Sequence, residues 1–373
     1  MERFDVVIVG AGPAGSTCGA FCAAAGLRTL ILEREKFPRE KVCGDCLNPA
    51  CWPVLRRLGI AERVRQLPHG VLDAVEFIAL GGQKVIVDLP AHEESEIAIK
   101  RSLFDNLLLI RARELGAAIR EATTVASLSG PAMAYVTHVC HRGMEDWRIE
   151  TATAENFHGP VVVGADGRNS TVARLCNLLP RPERERIALQ AHIPLPRDFG
   201  NRVVLQLLWH GYSGQAPVNR DELNLCLVSK PSKMPALRRW AEKQFDLSQD
   251  HPWRTITPLT RAAISATREN LFLIGDAARV VEPFTGEGIY YALRSGQLAA
   301  NAIVKIIRGE DRQSTLREFA HEHAQMYRGR LWINRLARAA VLSPRLAAIF
   351  ARAARIQPSI LRSLTGKIVA AAD

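Results

Sequence analysis

The spacing of hydrophobic and polar positions changes period several times along the chain, and each change predicts an element. Residues 4–10 form a short apolar run, an alanine-rich helical stretch covers residues 13–25, and residues 29–33 form a second apolar run. This is the pattern of a strand, a helix and a parallel strand. A loop rich in Pro, Gly and Cys covers residues 36–53, and a short helix is predicted over 52–66. Residues 74–89 have hairpin form with a turn at Gly81 and Gly82, and residues 101–115 return to helical period with Gly116 as the stop. Alternation over 125–129, 133–141 and 147–153 predicts an antiparallel meander, followed by a buried strand at 161–164. Strands at 203–209 and 223–229, with a helix near 233–245, predict a second sheet within 187–258. The last apolar strand, 270–275, leads through a turn-rich loop to a long helix at 289–308. Beyond it the chain reads as helical, with breaks at Pro344 and Pro358.

The expected fold class is therefore α/β with α+β elements: a Rossmann-like dinucleotide-binding domain interleaved with a mixed-sheet substrate domain, plus C-terminal helices. Residues 1–66, 97–175 and 259–327 are assigned to the first domain, 67–96 and 176–258 to the second, and 328–373 to basic helices. A length of 373 residues, 47% of them apolar, suffices for two cores. Met1 leads directly into an apolar strand, with no basic leader or cleavage pattern, so a cytoplasmic location is expected. Eight irregularly spaced cysteines read as reduced thiols, and no metal-ligand spacing stands out. His321 and His323, two apart on a helix, would point to different faces. Cys18 and Cys22, one helical turn apart, are expected in the core.

Charge separates the C-terminal segment from the rest. Of the net +11, residues 328–373 carry nine Lys or Arg against the single acid Asp373. Leu331, Leu336, Leu346, Ile349, Phe350 and Ile356 interleave with Arg335, Arg338, Arg345, Arg352 and Arg355. Such helices can close a cavity with arginines in solvent, or make peripheral contact with an anionic membrane. Nucleic-acid binding is not expected, because aromatic residues for stacking are few there.

The sharpest chemical signal is GAGPAG after the first strand. Gly10 permits the tight turn, Gly12 lets backbone approach a pyrophosphate, and Gly15 allows the helix to pack on the strand; Ala14 lies in the same turn. Glu33, at the end of the second strand with Arg34 beside it, is placed to accept from a ribose 2′-hydroxyl and to repel a 2′-phosphate. This suits FAD or NAD.

Three further segments decide for FAD by resemblance. Gly275 and Asp276 end an apolar strand, and Pro283, Gly286 and Gly288 lead into the long helix. This resembles the second flavin fingerprint of the para-hydroxybenzoate hydroxylase-type flavoproteins, which implies Asp276 on the ribityl chain and the helix N-terminus at the isoalloxazine. A positive dipole end there favours the anionic reduced flavin. GADGRNSTVAR, residues 164–174, is similar to that family's DG motif and implies Asp166 and Gly167 near the pyrophosphate and the nicotinamide donor's path. Arg101 matches the family's arginine near the flavin.

FPREKVCGDCLNP, residues 37–49, looks most like the geranylgeranyl reductase branch, which implies Cys43, Gly44 and Asp45 beside the flavin. EPFTGEGIYYALRSG, residues 282–296, supports that branch. Cys43 and Cys46 form a CxxC, but without a partner motif Cys43 is expected to pack in the loop and Cys46 to be incidental. The YxWxFP-like motif of the isoprenoid reductases and the WxWxIP of flavin halogenases are both absent; WHGYSGQAPV, residues 209–218, stands in the comparable region. The resemblance implies FAD-dependent monooxygenation of a small hydrophobic or lipid-like molecule, with NAD(P)H and oxygen. The alternatives are reduction of isoprenoid double bonds and a membrane-docking, redox-sensing flavoprotein.

Overall fold

The computed structural model describes residues 2–90, 94–130, 146–180, 186–281 and 286–328. Its central sheet has six strands in the order Thr267–Arg268, Leu271–Leu273, Val161–Gly164, Val6–Val9, Thr29–Leu32, Ala118–Arg120. Every neighbouring pair runs parallel except the first. A parallel sheet is covered on both faces, which is why its strands read as unbroken apolar runs instead of alternating. Val6–Val9, Thr29–Leu32 and Val161–Gly164 are buried at every position. On one face Ile8, Ile31 and Val163 pack with the helices Pro13–Ala24, Arg101–Glu114 and Gly288–Ile307. On the other, Val7, Leu30 and Val162 pack against Trp147, Ile149 and Phe157 of a small four-stranded sheet.

A seven-stranded sheet forms the second layer system, in the order Arg254–Ile256, Ile187–Pro194, Glu222–Ser229, Gly211–Pro217, Arg202–Leu208, Ala74–Ile78, Lys84–Asp88. Its pairs are antiparallel except Ala74–Ile78 with Arg202–Leu208. Side chains alternate between faces along a strand. Leu189, Ala191, Leu223, Leu225 and Leu227 point to the outer face and pack on the helix Met234–Gln244 through Met234, Leu237 and Ala241. Those three positions are spaced three and four apart, one stripe of a helix. The inner face, carrying Phe77, Leu205, Tyr212, Gly214, Cys226 and Val228, lines a cavity.

Several elements differ from expectation. The helix predicted over 52–66 is two helices, Trp52–Arg57 and Ala61–Gln66, broken at Gly59, whose φ of +70° is left-handed. Gly211–Pro217 is a central strand that local pattern did not indicate. Its Gly and Pro content opposes strand formation, but it is paired on both sides along its length. Within the loop at 36–53, Cys46–Leu47 pairs with Ile97–Ala98. The helix Arg312–Gln325 closes the described chain, and Cys18 and Cys22 lie in the core. The meander strand expected at 133–141, the breaks at Pro344 and Pro358, and the basic segment after Arg328 lie outside the described residues. No described helix is long and apolar enough to cross a membrane.

Candidate active site

The glycine-rich turn and the strand ends around it form a cradle made mainly of backbone. Gly10 has φ +103°, and a Cβ there would meet Ala165 O at 2.5 Å. A Cβ on Gly15 would lie 1.8 Å from Gly10 O, so the helix Pro13–Ala24 can start here only without a side chain at that position. At Gly12 the nearest atom to such a Cβ is Arg39 Nη2, 3.7 Å away, so this glycine keeps space open. No side chain caps the N-terminus of that helix, and Pro13 stands in its first turn. Free N–H groups and the helix dipole there suit a phosphate. Glu33 is buried beside the turn: Oε2 accepts from Ala11 N at 2.7 Å and Oε1 from Glu35 N at 3.0 Å. Each carboxylate oxygen retains a lone pair for a ribose hydroxyl. Ala14 lines the cavity below, and Arg34 lies at its rim, exposed and 3.4 Å from Glu35.

The two acid-bearing loops meet across the cradle. Asp166 is turned inward, accepting from Ser170 Oγ and from Thr171 N and Val172 N, so its carboxylate organises the loop and the start of Thr171–Leu175. Burial raises its pKa, and these hydrogen bonds oppose that. Gly167 follows with φ +84°. Arg168 Nη2 donates to Asp276 Oδ2 at 3.1 Å, joining the DG loop to the GD loop. Gly275, at φ +57°, sits against Ala14, where a Cβ would come within 3.1 Å of the alanine methyl. Gly286 and Gly288 line the same cavity, and a Cβ on Gly288 would meet nothing within 4 Å. The twenty-residue helix Gly288–Ile307 thus begins at open space. Pro283 lies outside the described residues.

The loop of residues 37–49 forms the third wall. Arg101 is buried and forms a two-point ion pair with Asp105, at 2.7 and 2.8 Å, while Arg39 holds the same carboxylate at 3.0 Å. Burial works against the charge of Arg101, but Asp105 and then Cys43 outweigh it and raise its pKa. Lys41 is brought down to about 8 by burial and then by Arg168 and Arg101, with Asp276 opposing. The Cys43 carbonyl accepts from Asn224 Nδ2 at 2.9 Å, which ties the loop to the seven-stranded sheet. Cys46 Sγ lies 3.4 Å from Gly44 O, and its thiol is pushed well up by burial and then by Glu96. Asp45 is fully buried at φ +60° and meets His192 Nε2 at 2.8 Å.

Most of these groups border one cavity of about 540 Å³, while Gly15, Asp105, Ser170 and His192 stand outside its lining. The inner sheet face forms its ceiling. Of the segment at 209–218, Tyr212, Gly214 and Ala216 face the cavity, whereas Trp209 lies at the hairpin tip and is 76% exposed. His192, Asn224, Glu96, Lys41 and Arg168 join the site without having been singled out in the sequence. Arg168 and Lys41 at least sit inside the two quoted motifs. The other three are single polar residues on or beside apolar strands, and nothing local marks them.

A parallel sheet with a glycine cradle, a buried ribose-type carboxylate and a second helix starting at the same cavity defines a flavoprotein of the dinucleotide-binding class. The chain belongs to the FAD binding domain family, which matches residues 3–194 and 235–330. It is 26% identical over 347 residues to conditioned medium factor receptor 1 of Dictyostelium discoideum, covering 83% of this chain and 64% of that protein. It therefore spans less than two thirds of that relative. It is 30% identical to the menaquinone reductase of Mycobacterium tuberculosis, covering 81% and 77% of the two chains. Similarity to digeranylgeranylglycerophospholipid reductase 1 of Methanopyrus kandleri is 26% identity, over 83% and 82%. Among solved structures it superposes on a probable FAD-dependent monooxygenase of Pseudomonas aeruginosa, with TM-score 0.77, 17% identity and coverage of 94% and 100%. It also superposes on the myxobacterial chondrochloren halogenase, with TM-score 0.76, 21% identity and coverage of 90% and 82%. The protein is an FAD-dependent oxidoreductase, and its fold is the mixed α/β flavoprotein fold.

Proposed function

We propose that this protein is a reductase that saturates a carbon–carbon double bond in a hydrophobic, isoprenoid-bearing lipid, with NAD(P)H as the donor that recharges FAD. The observation that carries the reading is the apolar ceiling. Val75, Phe77, Val203, Leu205, Val228 and Leu259 line the same cavity as the glycine cradle. Apolar surface removed from water contributes roughly 25 cal/mol per Å², so such a wall favours a hydrocarbon chain over a polar metabolite. Two relatives are named as reductases of menaquinone and of a digeranylgeranyl lipid, which agrees with that chemistry.

When bound, FAD supplies the hydride. The chain's own residues have the remaining tasks. The turn at Gly10 to Gly15 and Glu33 hold the adenosine diphosphate half, and Asp276 is the group for the ribityl chain. The start of Gly288–Ile307 stabilises negative charge on the reduced ring system. The sheet ceiling holds the lipid chain against the ring and excludes water.

Monooxygenation is the second reading. The ceiling segment at 209–218 lacks the isoprenoid reductases' aromatic motif, and a structural neighbour is described as a probable monooxygenase. Product analysis separates the two. Protein with NAD(P)H and a polyprenyl lipid under nitrogen should yield a product richer by two hydrogens. A product that forms only in air and carries one added oxygen would overturn the reductase reading.

A further inference from the structure

An acid and an imidazole meet at the seam between the loop of residues 37–49 and the seven-stranded sheet. Asp45 lines the cavity and is wholly buried. Its Oδ2 is 2.8 Å from His192 Nε2, while its Oδ1 is buried without a hydrogen-bond partner. A buried carboxyl oxygen left bare is costly unless something at the site uses it. The backbone at Asp45 is left-handed, a conformation non-glycine residues rarely hold, and its carbonyl accepts from Ile99 N.

His192 comes from the strand Ile187–Pro194, and its side chain is 8% exposed. A run of amides braces the pair. Gln190 Nε2 is 3.3 Å from His192 Nε2 and donates to Asn224 Oδ1 at 3.0 Å, and Asn224 in turn donates to the Cys43 carbonyl. This network fixes a titratable contact between the loop and the sheet, at a cavity wall.

We propose that Asp45 is the proton donor to the substrate and that His192 recharges it. The inference rests on the reductase reading above. One alkene carbon takes the hydride from the reduced cofactor, the other takes the Asp45 proton, and the double bond's electron pair forms that new C–H bond. The cofactor is oxidised and the alkene reduced. The Asp45 carboxylate then takes a proton from His192, which regains one from water. Asp45 is the catalytic residue, and His192 is a positioning and relay residue.

The charged and titratable surroundings fit this assignment. Burial lifts Asp45 to about 6, against the pull of His192 and Arg101, with Glu40 adding to the rise. Cys46 and Cys226 feel its charge, and Glu222, itself paired with Lys100, feels that of His192. An acid in this range is protonated often enough to donate near neutral pH, and His192 restores it.

Two variants test the pair. Asp45→Asn keeps the shape and tolerates a left-handed backbone, and His192→Gln keeps a donor towards Asp45 that cannot carry a proton. Both should purify with full FAD. Asp45→Asn should slow anaerobic reoxidation by a polyprenyl lipid about 10²–10⁴-fold, the usual scale of general acid catalysis. His192→Gln should move the pH profile of that step. Independently of turnover, labelled-aspartate NMR should show Asp45 titrating at higher pH in His192→Gln than in the parent, because the imidazole's pull on the carboxylate is gone. Wild-type reoxidation rates in Asp45→Asn, or an unmoved Asp45 titration in His192→Gln, would overturn the pair while leaving the reductase reading intact. If the parent protein itself reduces no such lipid, the reductase reading falls, and the donor assignment falls with it.

Discussion

The cradle and the ceiling of the same cavity are built on opposite plans. The cradle is backbone, shaped where side chains are missing: Gly10, Gly12, Gly15 and Gly275 stand within one turn and one neighbouring loop. The ceiling is side chains from five strands spread between Ala74 and Val228, aligned by register. A backbone site tolerates little change at a few positions, because each glycine faces a fixed carbonyl, a packed methyl or an intended ligand. A side-chain site spreads its function, so each change there alters what fits before it alters what folds.

The largest break in that contrast should come from Gly15→Val. With Gly10 O at 1.8 Å from the new Cβ, the turn must open, and the expected cost is about 3 kcal/mol or more. Chemical denaturation should show that loss together with absent FAD. Next, Gly12→Val and Asp276→Ala should each fold but lose FAD on purification. The new Cβ at position 12 meets only Arg39 at 3.7 Å, so the valine fills ligand space without disturbing protein. Yellow, stoichiometric protein from either variant would contradict the assignment of the cradle.

Gly214→Phe sharpens the other side. A Cβ there has Leu205 Cδ2 as its nearest neighbour, at 3.7 Å, and the ring would enter the cavity. FAD content should be unchanged, while lipid turnover falls by at least about tenfold, equivalent to ~1.4 kcal/mol. Loss of FAD from this variant would mean that cradle and ceiling are not separable.

The last effect concerns pH. Burial and then Glu287 hold Glu96 at about 7 against an ordinary 4.5. Between those values the folded protein binds more protons than the unfolded chain, so stability falls as pH rises through this window and levels off above it. A shift of this size corresponds to about 3 kcal/mol. Glu96→Gln should flatten that slope and raise Tm at pH 8 relative to the parent. An unchanged slope would place the acid's proton elsewhere.

How much of this was readable beforehand follows from the same contrast. The cradle's constraints are local: a strand, a glycine turn, a helix and an acid at the next strand end all fall within residues 4–33. The GD and DG loops were legible for the same reason. What the sequence did not show is that Arg168 joins those loops, or that Asp166 spends its carboxylate on its own loop. The ceiling was hidden by its alternation. In Glu222–Ser229 the leucines at 223, 225 and 227 mark one buried face, which leaves Asn224, Cys226 and Val228 looking like the solvent side. They face the cavity instead, and that is where the His192 and Asn224 network lies. The strand Gly211–Pro217 was missed because tertiary pairing, not propensity, makes it.

The most direct test of the reductase account is a stopped-flow comparison. The purified protein is photoreduced under nitrogen and mixed with a polyprenyl lipid in detergent, or with oxygenated buffer, while the flavin spectrum is followed. The account predicts rapid reoxidation by the lipid without oxygen and slow, featureless return in air. Reoxidation by oxygen alone, through a transient absorbing species and unaffected by the lipid under nitrogen, would contradict it and make the protein a monooxygenase.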